Sequence, residues 1–123
     1  MKAHYSLQQV QSIVREGKTE QIHILPKRST FQVIRTYAAT GKSLTIKEAN
    51  EFILKGLLQF TEKNFLKSQI QWDCVVDIYG LIFDAKPWFV KFYIEEGELV
   101  ETSFHPPEKT FTTTGGIKIP KGE

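Results

Sequence analysis

The feature that most constrains this chain is a change of hydrophobic period at Gln71. Before it, apolar residues recur every three or four positions; after it they alternate, and β-branched and aromatic residues dominate. Pro and Gly set off three strand-like runs there: Trp72 to Tyr79, Trp88 to Ile94 and Glu98 to Phe104. Helical segments first and strands last read as an α+β class, with N-terminal helices packed on a C-terminal three- or four-stranded antiparallel sheet.

The helices announce themselves by their ends. Ser6 is placed as an N-cap, Leu7, Val10, Ile13 and Val14 follow on one face, and Gly17 stops the pattern, which predicts a helix from Ser6 to about Glu16. Phe31, Ile34, Tyr37 and Ala38 predict a second, starting after Ser29 and Thr30 and stopped by Gly41. Thr45-Ile46-Lys47-Glu48 is a capping box, in which hydroxyl and carboxylate satisfy each other's free backbone donors. Ile46, Ala49, Ile53, Leu57 and Phe60 then form the apolar stripe of a third helix. Thr61 caps one further turn through Lys67, and Ile22 to Leu25, halted by Pro26, reads as a brief strand or an extended link.

Glu95-Glu96-Gly97 suits a three-residue hairpin loop with Gly97 left-handed. That choice pairs Phe92 with Val100, Val90 with Thr102 and Trp88 with Phe104 on a core face. The opposite face pairs Tyr93 with Leu99, Lys91 with Glu101 and Phe89 with Ser103. It then gathers Tyr93, Lys91, Ser103 and, just past the strand, His105, so a phenol, a cation and an imidazole share one surface. A cross-strand ion pair between Lys91 and Glu101, with Tyr93 as a half-wet edge residue, accounts for the same pattern without function.

Composition narrows the classes. With 123 residues, 41% hydrophobic and 24% charged, the chain has the size of one domain, expected over residues 1–105. Pro106-Pro107 and Gly115-Gly116 mark residues 106–123 as an extended, mobile tail with solvated threonines. The lone Cys74 suits a reducing compartment, and no apolar run resembles a signal peptide or a membrane span, so a cytoplasmic location is expected. His4, His23 and His105 are scattered and no pair shows zinc-like spacing, which predicts neither metal nor other cofactor. Thr40-Gly41-Lys42-Ser43 resembles the end of a phosphate-binding loop, but Thr36 stands where a Gly is required and the segment follows a helix. The Lys47-to-Lys55 helix is too apolar and acidic for a DNA-recognition helix.

The net charge of +2 conceals an asymmetry. Residues 1–70 hold 11 Lys/Arg against 5 Glu, whereas residues 71–123 hold 5 Lys against 9 Asp/Glu. Lys27, Arg28, Arg35, Lys42, Lys55, Lys63 and Lys67 suit either a positive rim for a polyanion or solvated helix faces.

Short words along the chain resemble a known family. Phe65-Leu66-Lys67-Ser68, Trp72, Asp77-Ile78-Tyr79, Val90-Lys91-Phe92 and Ser103-Phe104-His105 fall in the order of the signposts of the MqsR-type mRNA interferase toxins. The His4 to Gly17 segment is similar to that family's first helix. The likeness covers about two thirds of the chain, leaving out residues 18–44 and the tail after Pro106.

What the resemblance implies is a RelE-like fold and a toxin of a type II toxin–antitoxin system. Such a protein is a hydrolase that cuts mRNA without a metal and is neutralised by a cognate antitoxin. The RNA's own 2′-hydroxyl attacks the adjacent phosphate, so the protein must help remove a proton, neutralise charge and protonate the leaving 5′ oxygen. Lys67 matches the family's first functional lysine and is expected to bind phosphate. His105 stands at its C-terminal lysine, where an imidazole suits general acid–base work. The family's glutamine falls on Val76 and its tyrosine on Phe89, neither of which donates a hydrogen bond. The expected catalytic set is Lys67, His105, Tyr79 and Lys91, with Arg35, Lys63, Gln71 and Tyr93 contacting RNA. The rival expectation is a non-catalytic interaction module that uses the same sheet face.

Overall fold

The helix caps form as their residues dictate. In the computed structural model, which describes residues 2–17 and 19–122, Ser6 accepts a hydrogen bond from the Gln9 N–H (3.3 Å) at the start of α1 (Leu7–Glu16), and Gly17 closes it at φ 66°. Thr45 and Glu48 complete both halves of the capping box of α3 (Ile46–Leu57), at 3.1 and 2.9 Å. That helix ends at Leu57, although Phe60 remains in the core. The middle helix, α2 (Phe31–Ala38), is not capped by Ser29 or Thr30. A π-helical turn over Pro26–Thr30 runs straight into it, the Phe31 N–H donates to the Pro26 carbonyl, and Thr30 Oγ1 bonds Asn50 Oδ1 at 2.7 Å. Such turns are rare and project side chains off the regular helical path.

The sheet is larger and of different parity than the sequence suggests. Four antiparallel strands, β2 (Phe65–Gln71), β3 (Cys74–Phe83), β4 (Lys86–Glu95) and β5 (Glu98–His105), are joined at one edge by β1 (Ile22–Ile24), which runs parallel to β5. The result is a five-stranded mixed sheet in the order β1-β5-β4-β3-β2. The turn expected to carry Lys67 is only a 3-10 turn over Glu62–Asn64, and Lys67 lies within β2, opposite Ile78. The architecture is α+β, with three helices on a largely C-terminal sheet.

Three two-residue turns connect β2 through β5, at Trp72-Asp73, Asp84-Ala85 and Glu96-Gly97, and all six residues have positive φ. Paired positive φ values mark the turn whose twist matches that of the strands, a geometry glycine adopts at least cost. At Ala85 (φ 58°), the exposed β-carbon makes this conformation costly. Ala85→Gly is expected to stabilise the protein by about 0.5–1 kcal/mol, read as a raised urea midpoint at unchanged slope.

The two-residue turn at Glu96-Gly97 overturns the expected pairing. Glu95 faces Glu98, Tyr93 faces Val100 and Phe92 faces Glu101; a bulge at Thr102 then shifts the register so that Lys91 faces Ser103, Val90 faces Phe104 and Phe89 faces His105. The Lys91–Glu101 ion pair is therefore not formed. Glu101 turns to the helix side, fully buried, with Phe92 and Ile24 as its cross-strand neighbours.

The helix side of the sheet carries the core: Val10, Val33, Ile53, Leu57, Tyr79, Trp88, Val90, Phe92 and Phe104 form one buried cluster. On the same side, buried Asp77 accepts hydrogen bonds from the backbone N–H groups of His4 (3.0 Å) and Tyr5 (2.8 Å) and from Ser68, tying the start of the chain to the sheet.

Residues 106–122 are not an extended tail. They turn back and form a hairpin, β6 (Phe111–Thr112) with β7 (Lys118–Ile119), against the other side of the sheet. Thr114 N–H and Oγ1 both donate to the Phe65 carbonyl, and Thr113 Oγ1 donates to the Lys63 carbonyl. The packing is so close that a β-carbon on Gly80 would sit 2.6 Å from the Phe111 ring and 2.7 Å from Ile119. Thr113 and Ile119 are buried, so these residues are part of the fold. Among the described residues no helix is long and apolar enough to cross a membrane.

Candidate functional site

The face of the sheet away from the helices has two boundaries. At one edge rises the π-helical turn that carries Arg28; at the other the returning segment from Pro106 to Phe111 covers part of the surface. Between them lies a cleft of about 260 Å³ lined by Lys67, Gln69, Ile78, Phe89, Lys91 and His105 along the sheet. The register explains this grouping. Lys67 faces Ile78, Ile78 faces Lys91 and Lys91 faces Ser103, so these four form one row across four strands. At a strand spacing of about 4.8 Å, the backbones of Lys67 and Lys91 lie roughly 10 Å apart, within joint reach of one phosphodiester.

Arg28 joins the row from outside the sheet, its Nε donating to Ser103 Oγ at 3.3 Å. The two-residue turn moves Glu101 away from Lys91, leaving that lysine without its expected counter-ion, and the bulge at Thr102 then sets Ser103 opposite it. Burial, and then the charges of Arg28 and Lys67, hold the Lys91 ammonium below the usual lysine range, with Glu108 opposing them. Its aliphatic stem lies by Phe89, with the ammonium 5.5 Å from the ring centroid.

His105 occupies the next row, beside Phe89, with its imidazole stacked on that ring at 5.3 Å. Its Nδ1 lies 2.8 Å from the Pro106 carbonyl. A carbonyl only accepts, so Nδ1 carries the hydrogen and a neutral ring keeps its lone pair on Nε2. Phe89 is thus held between two rings, since Phe111 also meets it edge-on at 5.9 Å. A second, larger cleft of about 570 Å³ opens from the same place, sharing Arg28, His105 and Glu108 with the first and extending to Arg35 and Lys121.

Of the eight residues singled out from the sequence, Lys67, Lys91 and His105 converge on the smaller cleft, and Arg35 lines the larger, its guanidinium bonded to Gln32 Oε1 at 2.6 Å. The other four do not line either cleft. Tyr79 lies on the helix side, buried and stacked between Phe60 and Phe92, with burial raising its phenol far above the ordinary range. Tyr93 shares the face of Lys91 but sits one row further from His105, opposite Val100. Gln71 is at the far end of β2, opposite Cys74, and Lys63 precedes β2, engaged through its backbone carbonyl with Thr113. Val76 is buried on the cleft side of β3, opposite Gln69.

Sequence reasoning did not foresee the parts brought in by the returning segment, Glu108, Lys109 and Phe111. It counted Arg28 only as one of several rim cations. The signal for Arg28 was Pro26, which begins a helical turn two residues earlier and so sets the direction of the side chain. Among the described residues, no group of three His, Cys, Asp or Glu side chains is arranged to hold a metal ion. No family model matches the chain, and no curated protein matches it.

Proposed function

We propose that this protein is a metal-independent endoribonuclease, an mRNA interferase with a RelE-like arrangement that acts in the cytoplasm and is silenced by a cognate antitoxin. The observation that carries the reading is the convergence of three cations, Lys67, Lys91 and Arg28, beside the single carboxylate of Glu108, with one imidazole held through its Nδ1 in a single cleft. Those are the groups that RNA transesterification requires. The 2′-oxygen attacks phosphorus as its proton passes to a base, the P–O5′ bond breaks, and a proton goes to the departing 5′ oxygen, leaving a 2′,3′-cyclic phosphate and a 5′-hydroxyl. His105 Nε2 is the proton-transfer group, and Lys67, Lys91 and Arg28 neutralise the charge that grows on the phosphorane oxygens. Phe89, in place of a hydrogen-bonding residue, keeps the imidazole plane fixed by stacking.

The test is cleavage of a long unstructured RNA by purified protein in the presence of EDTA. Cleavage is expected to persist with the chelator and to be lost in the Lys67→Ala/His105→Ala double variant while its circular dichroism and melting temperature remain those of the parent. Cleavage that survives both changes would place the chemistry elsewhere. RNA that stays intact with the parent protein would favour a binding module on the same face.

A further inference from the structure

The cleft at His105 is the middle of a longer channel. Its larger cavity shares Thr36, Ala39, Pro106 and Lys121 with a third cavity, of about 430 Å³, that continues to Lys86 and Pro87. Three hollows therefore adjoin one another through shared lining residues along one path, from β2 past His105 to the end of α2 and the β3–β4 turn. Cations punctuate this path throughout. Lys67 and Lys91 stand at one end and Arg28 at the centre; Arg35 and Lys121 follow beyond, and Lys86, whose ammonium rests 5.3 Å from the Tyr37 ring centroid, borders the far hollow. Among the described lining residues the one carboxylate is Glu108. The contact of His23 Nε2 with the Glu98 carboxylate lies outside the channel.

A small anion would occupy one hollow and leave the remaining charges unanswered. A phosphodiester chain carries a charge at every unit and answers all of them. The channel has α2 on one side and the returning segment on the other, which suits one strand lying between walls. The far hollow adds apolar surface from Ala39, Pro87 and Pro120 beside its lysines, so a base face has something to rest on while its phosphate meets an ammonium.

We infer that the channel seats a single RNA strand over several nucleotides, with Arg35, Lys121 and Lys86 forming a distal subsite for the phosphates on one side of the bond held at His105. The identity of the strand rests on the ribonuclease reading; the distal subsite itself is a claim about binding and is tested without cleavage.

The probes are fluorescein-labelled 2′-O-methyl RNA oligonucleotides of about 3 and about 12 nucleotides, which lack the attacking hydroxyl and fall below and within the usual range of single-strand site sizes. Anisotropy titrations of the full chain are expected to show the longer strand bound roughly tenfold or more tightly than the shorter. In the Lys86→Met/Lys121→Met variant, which keeps the methylenes and removes the charges, that ratio should fall toward one. The slope of log affinity against log salt for the long strand should shrink by about 1.4, at roughly 0.7 for each phosphate that no longer meets a cation. An unchanged ratio and slope in a variant with the parent's melting temperature would overturn the subsite. Equal binding of a poly-glutamate peptide of the same length would overturn it also, because the channel would then be a general acidic-peptide groove. If the strand binds as stated while no RNA is ever cut, the subsite stands and the ribonuclease reading falls.

Discussion

Replacing Glu101 by glutamine is expected to flatten the pH dependence of stability between pH 5 and pH 8, with the parent protein losing on the order of 3–4 kcal/mol across that window and the variant losing far less. The cause is the carboxyl's position. The two-residue turn at Glu96-Gly97 sets it opposite Phe92 in the core, fully buried, where neither oxygen makes a hydrogen bond of good geometry, and the nearby Ser29 hydroxyl is also without a partner. Burial pushes the carboxyl up to about 8 from an ordinary value of 4.5; Ser29 and the Ser103 backbone pull the other way and do not outweigh it.

The sign follows from proton counting. Below pH 4.5 the group is protonated in both folded and unfolded chains and contributes nothing to the difference. As pH rises, the unfolded chain ionises first, so the folded state holds the extra proton and stability falls until the folded carboxyl also ionises near pH 8. At about 1.4 kcal/mol per unit this is a large share of the 5–15 kcal/mol typical of a domain. Urea titrations at half-unit steps of pH measure it. The dependence of stability on pH is the readout, not its absolute value, since the glutamine amide brings hydrogen-bonding demands of its own. Parallel pH profiles for parent and variant would mean that Glu101 is solvated or paired.

His105→Ala is expected to slow single-turnover RNA cleavage by about 10²–10⁴-fold, the usual contribution of a positioned acid or base. His105→Gln separates chemistry from structure, because its amide can still donate to the Pro106 carbonyl while no longer shuttling a proton. It should remain as slow as the alanine variant and melt with the parent. Lys91→Ala should cost about 10²–10³-fold, mainly in kcat, if the half-buried ammonium meets charge that develops only in the transition state. A loss confined to KM would make Lys91 a ground-state phosphate ligand. Rates within a few-fold of the parent for His105→Gln would remove the imidazole from the mechanism.

Legibility in the sequence varied with the range of the interaction that decides each feature. Ser6, Gly17 and the Thr45–Glu48 box act within four residues, so the ends of α1 and the start of α3 could be read directly. The strand pattern identified the core face of β4, and the alternation that puts Lys91 opposite to Phe92 survives intact. Parity on β5 was lost through one residue of turn length and one bulge, neither of which leaves a mark in hydrophobic alternation. Glu101 therefore exchanged a surface ion pair for the core. The partner of β1 was equally hidden, since a three-residue strand carries too little pattern to show what it joins. Lys91 and His105 followed from strand alternation, whereas Lys67 came from the family resemblance and was expected in a turn; its register on β2 is what brings it to the others. Arg28 and Glu108 were harder to assign because a π-helical turn and a folded-back terminus, both tertiary arrangements, carry them.

The segment that walls the cleft follows in sequence everything it packs against. Phe111 and Ile119 close over Gly80, while Thr113 and Thr114 reach back to the carbonyls of Lys63 and Phe65. A chain still emerging from the ribosome can assemble helices and sheet while one flank of its basic surface stands open. Such a nascent protein has no walled cleft, so whatever the basic surface holds is held fully only once the last stretch of chain has been released and folded back.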